Sequence, residues 1–300
     1  MNPTLKETLI ALSLILAFSS CQPDQDQIDK KRSTQTKPQP TSTSPEMDVL
    51  EKSTTTYEIQ DPKQWLLNHP TDSLQQQIVF ALNRTDRSNF PRMDSVVVPL
   101  NLSYALANYL PFPLEVSYLK DITKIIFFSY PTQTFAAYEK GKLVLTGPTN
   151  MGREKKLTPT GLFYTNWKAK VTRSTINNNW ILHWNFNILN KAGVGWHQYS
   201  LPGYPVSHSC LRLQEMDAYF LYNWADQWVL TNSTTVQVKG TPVIIFGKYD
   251  FGSPKPWLKL ITNPHVLDIN EDELEKITQP YLNEILTEQQ NREAVSASSK

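Results

Sequence analysis

Three hundred residues with 40% apolar side chains suffice for one or two domains with a sizeable core. A formal net charge of +1 argues against a chain that grips nucleic acid through its phosphates. Eight Trp, thirteen Tyr and twelve Phe favour a β-rich core.

The first 21 residues carry Lys6, an apolar run Leu9–Phe18 and the small pair Ser19-Ser20 before Cys21. The run is too short to span a bilayer and reads as the apolar region of a signal peptide. A small residue just before cysteine resembles the bacterial lipobox, with Phe18 an unusual residue at its start. That reading makes Cys21 the lipidated first residue and a membrane anchor. The alternative is an ordinary signal peptide cleaved nearby. Residues 22–56 are Gln, Lys, Asp, Pro, Ser and Thr with almost nothing apolar, and predict a disordered tether.

Residues 57–118 are mixed. Trp65-Leu66-Leu67 opens an apolar segment and Leu74–Leu82 predicts a short helix. From Ala81-Leu82-Asn83-Arg84 to Val96-Val97-Val98-Pro99 the order of helix, Asn, polar loop and β-branched strand is similar to the second half of a LysM module, a glycan-binding fold. The match covers little of such a fold, so this segment is either LysM-like or a packing element, and the packing reading is preferred.

From Asp121 the texture is that of strands. Ile122–Ser129, bounded by Pro131, predicts a buried strand. Thr134–Tyr138, the turn Glu139–Lys142 and Leu143–Leu145 predict a hairpin. Thr158-Pro159-Thr160-Gly161 leads into Leu162-Phe163-Tyr164, and Trp180–Ile188 is another strand-like run. Met216, Tyr219, Phe220 and Trp224 lie near helical spacing within Gln214–Asp226, and Gly240–Phe246 predicts a closing strand. Asn270 with Glu273 predicts a capped helix over Glu271–Ile277. Pro280 interrupts it, a second helical piece runs from Tyr281 toward Gln290, and the last residues through Lys300 are expected to be disordered.

The chemistry concentrates in Trp196–Leu213, W-H-Q-Y-S-L-P-G-Y-P-V-S-H-S-C-L-R-L. A thiol becomes a strong nucleophile when an imidazole takes its proton. The loop with Pro202, Gly203 and Pro205 can fold His197 back toward Cys210. With Cys21 acylated, Cys210 is an unpaired thiol in an exported chain, where cysteines usually pair, and nucleophilic catalysis accounts for it. The residue types His183, His197, His208 and Cys210 suit zinc, but His-x-Cys is not a recognised ligand spacing, and no metal is expected. Papain-like and NlpC-type peptidases place the cysteine before the histidine, the reverse of the order here.

This stretch resembles the active-site motif of the L,D-transpeptidase (YkuD) catalytic domain. That family carries a His, a variable loop, then Ser-His-Gly-Cys, an apolar residue and Arg. His197, Ser207, His208, Cys210 and Arg212 fall on matching positions. Ser209 stands where the family usually has Gly, and Gln198 where Gly or Ser usually follows the first histidine. The upstream strand, hairpin and Thr-Pro-x-Gly order is similar as well, so the resemblance covers about residues 120–248.

The resemblance implies a mainly β fold, a YkuD-like sandwich or barrel with a short helix after the cysteine. A small α/β N-terminal element and a helical C-terminal tail flank it. The domain plan is a signal peptide at 1–21, linker at 22–56, N-terminal element at 57–118, catalytic domain at 119–248 and tail at 249–300. By the same resemblance Cys210 is the nucleophile and His197 the general base and acid, oriented by Gln198 or Ser200. His208 and Ser207 support the site, Ser209 and Cys210 offer backbone N–H groups to an oxyanion, and Arg212 braces the loop or binds a carboxylate. His69 and His265 are expected at the surface, and His183, on a strand, either lines the substrate channel or is structural, with the structural reading preferred. The implied function is peptidoglycan L,D-transpeptidation in the cell envelope. A stem peptide loses D-Ala to a thioester that an amine resolves into a 3→3 cross-link, without a cofactor. The alternatives are an L,D-carboxypeptidase or hydrolase of the same stems, and an inactive wall-binding lipoprotein. The partners are stem peptides and, through Cys21, a membrane; acylation of Cys210 by carbapenems is expected.

Overall fold

The buried strand anticipated at Ile122–Ser129 lies at the centre of the structure. Its alternate side chains enter two different cores, so the segment reads as a continuous apolar run. The computed structural model describes residues 55–71, 73–102, 105–174 and 177–298, all within one unit, Met47–Lys300. The signal segment, Cys21 and nearly all of the linker lie outside the described residues.

The described chain opens with β1 (Tyr57–Gln60), α1 (Pro62–Asn68), α2 (Leu74–Leu82) and β2 (Val96–Pro99), with β1 antiparallel to β2. Asp61 caps α1 by accepting the Gln64 N–H. Asn83, just past α2, donates to Val79 O and Val97 O and accepts the Val97 N–H, which fastens helix to strand. Val96 and Val98 pack with Trp65, Val79, Phe80 and Phe90. Val97 faces the other way and joins Ile78 and Leu82 against Trp257 and Leu260 of the C-terminal region.

Next come β3 (Lys124–Ser129), β4 (Thr134–Glu139), β5 (Lys142–Pro148), β6 (Gly161–Tyr164), β7 (Lys168–Arg173), β8 (Ile181–Leu189), β9 (Val194–Gln198) and β10 (Leu211–Leu213). They are followed by α3 (Glu215–Trp224), β11 (Val229–Leu230), β12 (Val236–Val238), β13 (Pro242–Phe246), α4 (Glu271–Thr278) and α5 (Leu282–Ser298). One sheet has the order β5-β4-β3-β13-β6 and a second the order β10-β9-β8-β7; β13 is parallel to β3 and β10 parallel to β9. Ile126, Phe128, Phe135 and Ala137 of the first sheet meet Phe186, Ile188, Trp196, Leu211 and Leu213 of the second, with Ala218 and Leu221 of α3. On the reverse face Ile125, Phe127, Tyr138 and Ile244 are covered by Phe112, Val116 and Leu119 and by Leu274 and Ile285 of the tail. Among the described residues no helix is long and apolar enough to cross a membrane.

The mainly β architecture, the helix after the cysteine and the helical tail agree with the sequence. Three local readings change. Lys168–Arg173 forms a strand that its sparse apolar pattern did not announce, because one antiparallel partner, β8, suffices to hold it. The final helix runs to Ser298, well past Gln290. His69 is half-buried, stacked on the Trp65 ring at 4.3 Å, rather than simply at the surface.

Buried polar groups tie the parts together. Arg84, 1% exposed and left-handed (φ 54°), donates from Nε to Thr132 O and from Nη1 to Ala81 O and Leu82 O. Its guanidinium lies 5.2 Å from the Trp257 ring centre, and burial lowers its pKa to about 9. On α3, Asp217 abuts β5, where a Cβ at Gly147 would stand 2.5 Å from Asp217 Oδ2, a buried oxygen without a hydrogen-bond partner among the described residues. Burial raises this carboxyl to about 7. A raised folded-state pKa means the native state holds the proton more tightly, so the associated stability is present below the ordinary carboxylate value and is lost as pH rises through about 7. Asp217→Asn is therefore expected to match wild type at pH 4 and to exceed it at pH 8 by up to about 4 kcal/mol. Thermal melts at the two pH values check this; an equal difference at both would count against it.

Candidate active site

The site is built on the parallel pair β9 and β10, in register Leu211↔Trp196 and Arg212↔His197. Cys210 is the residue just before β10, and His197 lies within β9. Trp196 and Leu211 point into the core, 0% exposed, so the residues alternating with them face the other side of the sheet. Only glycine fits at Gly195, because a Cβ there would lie 2.2 Å from Phe186 O on β8.

Cys210, His197, Ser207, His208, Arg212 and Tyr199 line one narrow cavity of about 30 Å³, together with Ser174, Trp180 and Leu182. His197 is 5% exposed and its Nδ1 lies 2.9 Å from Gln198 O. That contact assigns the proton to Nδ1 and leaves Nε2 as a free acceptor. Of the two candidate residues, Gln198 and Ser200, it is Gln198 that meets Nδ1, through its main-chain carbonyl. Burial, assisted by the Arg212 charge and opposed by the Gln198 hydrogen bond, lowers the imidazole to about 4. Burial also pushes the Cys210 thiol up, against smaller opposing effects of the Gly195 backbone and Arg212. Both groups are neutral near pH 7, so the resting arrangement is not the thiolate–imidazolium pair. Among the described residues no hydrogen bond joins them; Sγ donates weakly to Gly193 O at 3.8 Å.

The other motif residues hold the loop. Ser207 Oγ donates to Cys210 O at 2.6 Å, and the Ser207 backbone pairs with Met151 O and the Arg153 N–H. Arg212 Nη1 donates to Ser200 O at 3.3 Å and its guanidinium stacks 4.6 Å from the Tyr199 ring centre. His208 Nε2 lies 2.9 Å from Arg153 Nη2, which makes it an acceptor and puts the proton on Nδ1, a buried atom without a partner among the described residues. Burial first, then Arg153, Arg212 and Lys156, lower the His208 pKa. Among the described residues neither backbone N–H of Ser209 nor that of Cys210 donates a hydrogen bond.

Ser209 has φ 84°. Glycine adopts that left-handed backbone freely, whereas a residue with a Cβ is strained by roughly 1–2 kcal/mol. Ser209 Oγ donates to Lys156 O at 3.3 Å, a small offset on an exposed loop. Ser209→Gly is expected to raise stability by about 1 kcal/mol in chemical denaturation. Unchanged or lower stability would mean that the Lys156 contact outweighs the strain.

Several residues at the site carried no signal of their own. Thr158 accepts the Gly152 N–H and donates to Ser209 O, so it ties Thr-Pro-x-Gly to the cysteine loop. Trp180 stands over His208 with ring centres 5.3 Å apart. His183 is exposed on β8 and does not line the cavity; its neighbour Leu182 does. His265 is exposed and pairs with Asp268. Among the described residues no group of three or more His, Cys, Asp or Glu is placed to hold a metal, and Cys210 is a free cysteine.

Residues 123–245, which contain both sheets' central strands and this cavity, match the family model YkuD, the L,D-transpeptidase catalytic domain. This segment is similar to L,D-transpeptidase catalytic domains. Among solved structures it is similar to an L,D-transpeptidase from Stackebrandtia nassauensis, 22% identical over 42% of this chain and 57% of that one, TM-score 0.35. It is also similar to one from Mycobacterium tuberculosis H37Rv, 22% identical over 42% and 58%, TM-score 0.33. A third is L,D-transpeptidase 3 of Mycobacterium tuberculosis in complex with a faropenem-derived adduct, 20% identical over 42% and 60%, TM-score 0.33. The similar segment thus spans less than two thirds of each of those chains. No curated protein gives a significant match.

Proposed function

We propose that this chain is a cysteine-dependent L,D-transpeptidase acting on peptidoglycan stem peptides in the cell envelope, anchored there by a lipid on Cys21. The observation that carries the proposal is the cavity that Cys210 and His197 both line, with His197 neutral, its Nδ1 committed to Gln198 O and its Nε2 available. On binding of a stem, His197 Nε2 takes the Cys210 proton as Sγ bonds to the carbonyl carbon of the diamino acid that precedes a terminal D-Ala. The Ser209 and Cys210 backbone N–H groups receive the oxyanion. The C–N bond breaks, the proton passes from His197 to the leaving amine, and D-Ala departs from a thioester. An amine of a second stem then attacks the thioester and gives its proton to His197, which returns it to the thiol. The product is a 3→3 cross-link, and the atoms balance without a cofactor. The Arg153, Lys156 and Arg212 charges that disfavour protonation of His208 suit a ligand rich in carboxylates.

The test is incubation of the purified protein with tetrapeptide-stem muropeptides, followed by chromatography and mass spectrometry. D-Ala release with a cross-linked dimer is the expected result. Release with only trimmed monomer would replace the acceptor amine with water and make the protein an L,D-carboxypeptidase. No release from folded, reduced protein would overturn the proposal in favour of a wall-binding role.

A further inference from the structure

The connection between β9 and β10 presents a physical problem. It joins two adjacent parallel strands through residues 199–210, without a helix of its own. Such a crossover lacks the internal hydrogen-bond ladder of a hairpin or helix, so its shape has to be imposed by its neighbours. The second limb is held from within the YkuD segment. Asn150 Nδ2 donates to Tyr204 O, Asn150 Oδ1 accepts the Val206 N–H, and Gly152 bridges Ser207.

The first limb is held from outside that segment, by the N-terminal element. Leu201 N–H donates to Asp86 Oδ2 at 2.6 Å and the Asp86 N–H donates back to Leu201 O at 3.1 Å. Thr85 bridges Pro202, and Asn89 Nδ2 donates to Ser200 Oγ at 2.7 Å. The carbonyl of the same residue, Ser200 O, accepts from Arg212, the residue in register with His197. The Asp86 carboxylate is itself fixed, because Oδ1 accepts from Ser88 N–H, Ser88 Oγ and Asn89 N–H. Partial burial opposes its ionisation, but hydrogen bonds from Ser88, Leu201 and Asn89 prevail and keep its pKa below the usual carboxylate value.

We propose that Asp86 is a positioning residue for the cysteine–histidine pair, and that the N-terminal element completes the active site by clamping residues 200–202. Asp86 touches neither Cys210 nor His197; it acts through the loop between them. The acylation arm of the test rests on the transpeptidase reading, whereas the thiol arm does not.

The test compares wild type, Asp86→Ala, Asp86→Asn and Asn83→Ala as full chains. The pH profile of iodoacetamide alkylation is followed on the Cys210-containing peptide, beside the rate of acylation by meropenem and a thermal melt. Asn83→Ala loosens the N-terminal element internally without touching the Asp86–Leu201 pair. Asp86→Ala is expected to slow both reactions about tenfold or more at pH 7 and to shift the alkylation profile. Asp86→Asn, which keeps one acceptor oxygen for the Leu201 N–H, is expected to fall between Asp86→Ala and wild type. Asn83→Ala is expected to melt earlier with an unshifted profile. A wild-type profile in folded Asp86→Ala, or the same shift in Asn83→Ala, would overturn the proposal. If meropenem leaves the wild type unmodified while Asp86→Ala still shifts alkylation, the transpeptidase reading fails and the positioning role stands.

Discussion

Meropenem is expected to add the mass of one bound carbapenem to the wild-type chain and nothing to Cys210→Ala. Opening the lactam by a thiol forms a thioester without a leaving group, so the whole drug is retained and the readout is a single mass. The expected effect is complete loss, because among the described residues Cys210 is the only thiol that lines the cavity and the hydroxyls beside it are already engaged. Ser207 Oγ donates to Cys210 O and Ser209 Oγ to Lys156 O. Truncation at this half-buried position removes one sulfur and leaves β10 and its register intact. A stable adduct in the folded variant, or none in reduced wild type, would displace Cys210 from its proposed role.

His197→Gln is expected to lower the acylation rate by roughly 10²–10⁴. The physical basis is that both partners are neutral at rest: burial lowers the imidazole to about 4 and raises the thiol. A neutral thiol reacts at pH 7 only if a base takes its proton during attack, and the free Nε2 supplies that base. The wild-type rate is therefore expected to be level from about pH 5 toward neutrality and to fall as pH drops through about 4, where the imidazole charges. Glutamine fills similar space but cannot accept the proton, so the variant's rate should climb tenfold per pH unit as free thiolate forms. The same level profile in both proteins would show that His197 is not the base. Stability carries a second signature. The folded-state pKa lies below the ordinary 6.5, so the unfolded chain binds more protons as pH falls between these values. Wild type should lose up to about 3 kcal/mol over that window, and His197→Gln should lack that part of the loss.

Local sequence sufficed wherever the determining interactions are local. Asn270 accepts the Glu273 N–H, so the start of α4 is visible in four residues. The turn at Lys140-Gly141, with both residues at positive φ, marks the hairpin of β4 and β5. The candidate site was legible because β9, its loop and β10 are contiguous in the chain, and so the histidine and cysteine appear in one stretch. Which faces those strands bury was not legible. Ile125 and Ile126 are alike in sequence yet enter opposite cores, because the tail covers one face and the second sheet the other.

Pairings across long separations are likewise absent from any periodicity. Asp86 meets Leu201, Arg84 meets Thr132 and Trp257, and Thr158 meets Ser209, each through contacts that only the assembled chain creates. The charge states of the pair belong to the same class. A sequence names a histidine and a cysteine, but burial decides that both are neutral, since desolvation depends on everything packed around them. The sequence alone thus supplied the candidate site residues and determined most strands and helices, because these rest on local pattern. The tertiary structure alone decided which groups are desolvated, which carbonyl orients His197 and which distant side chains shape the loop, because these depend on non-local packing.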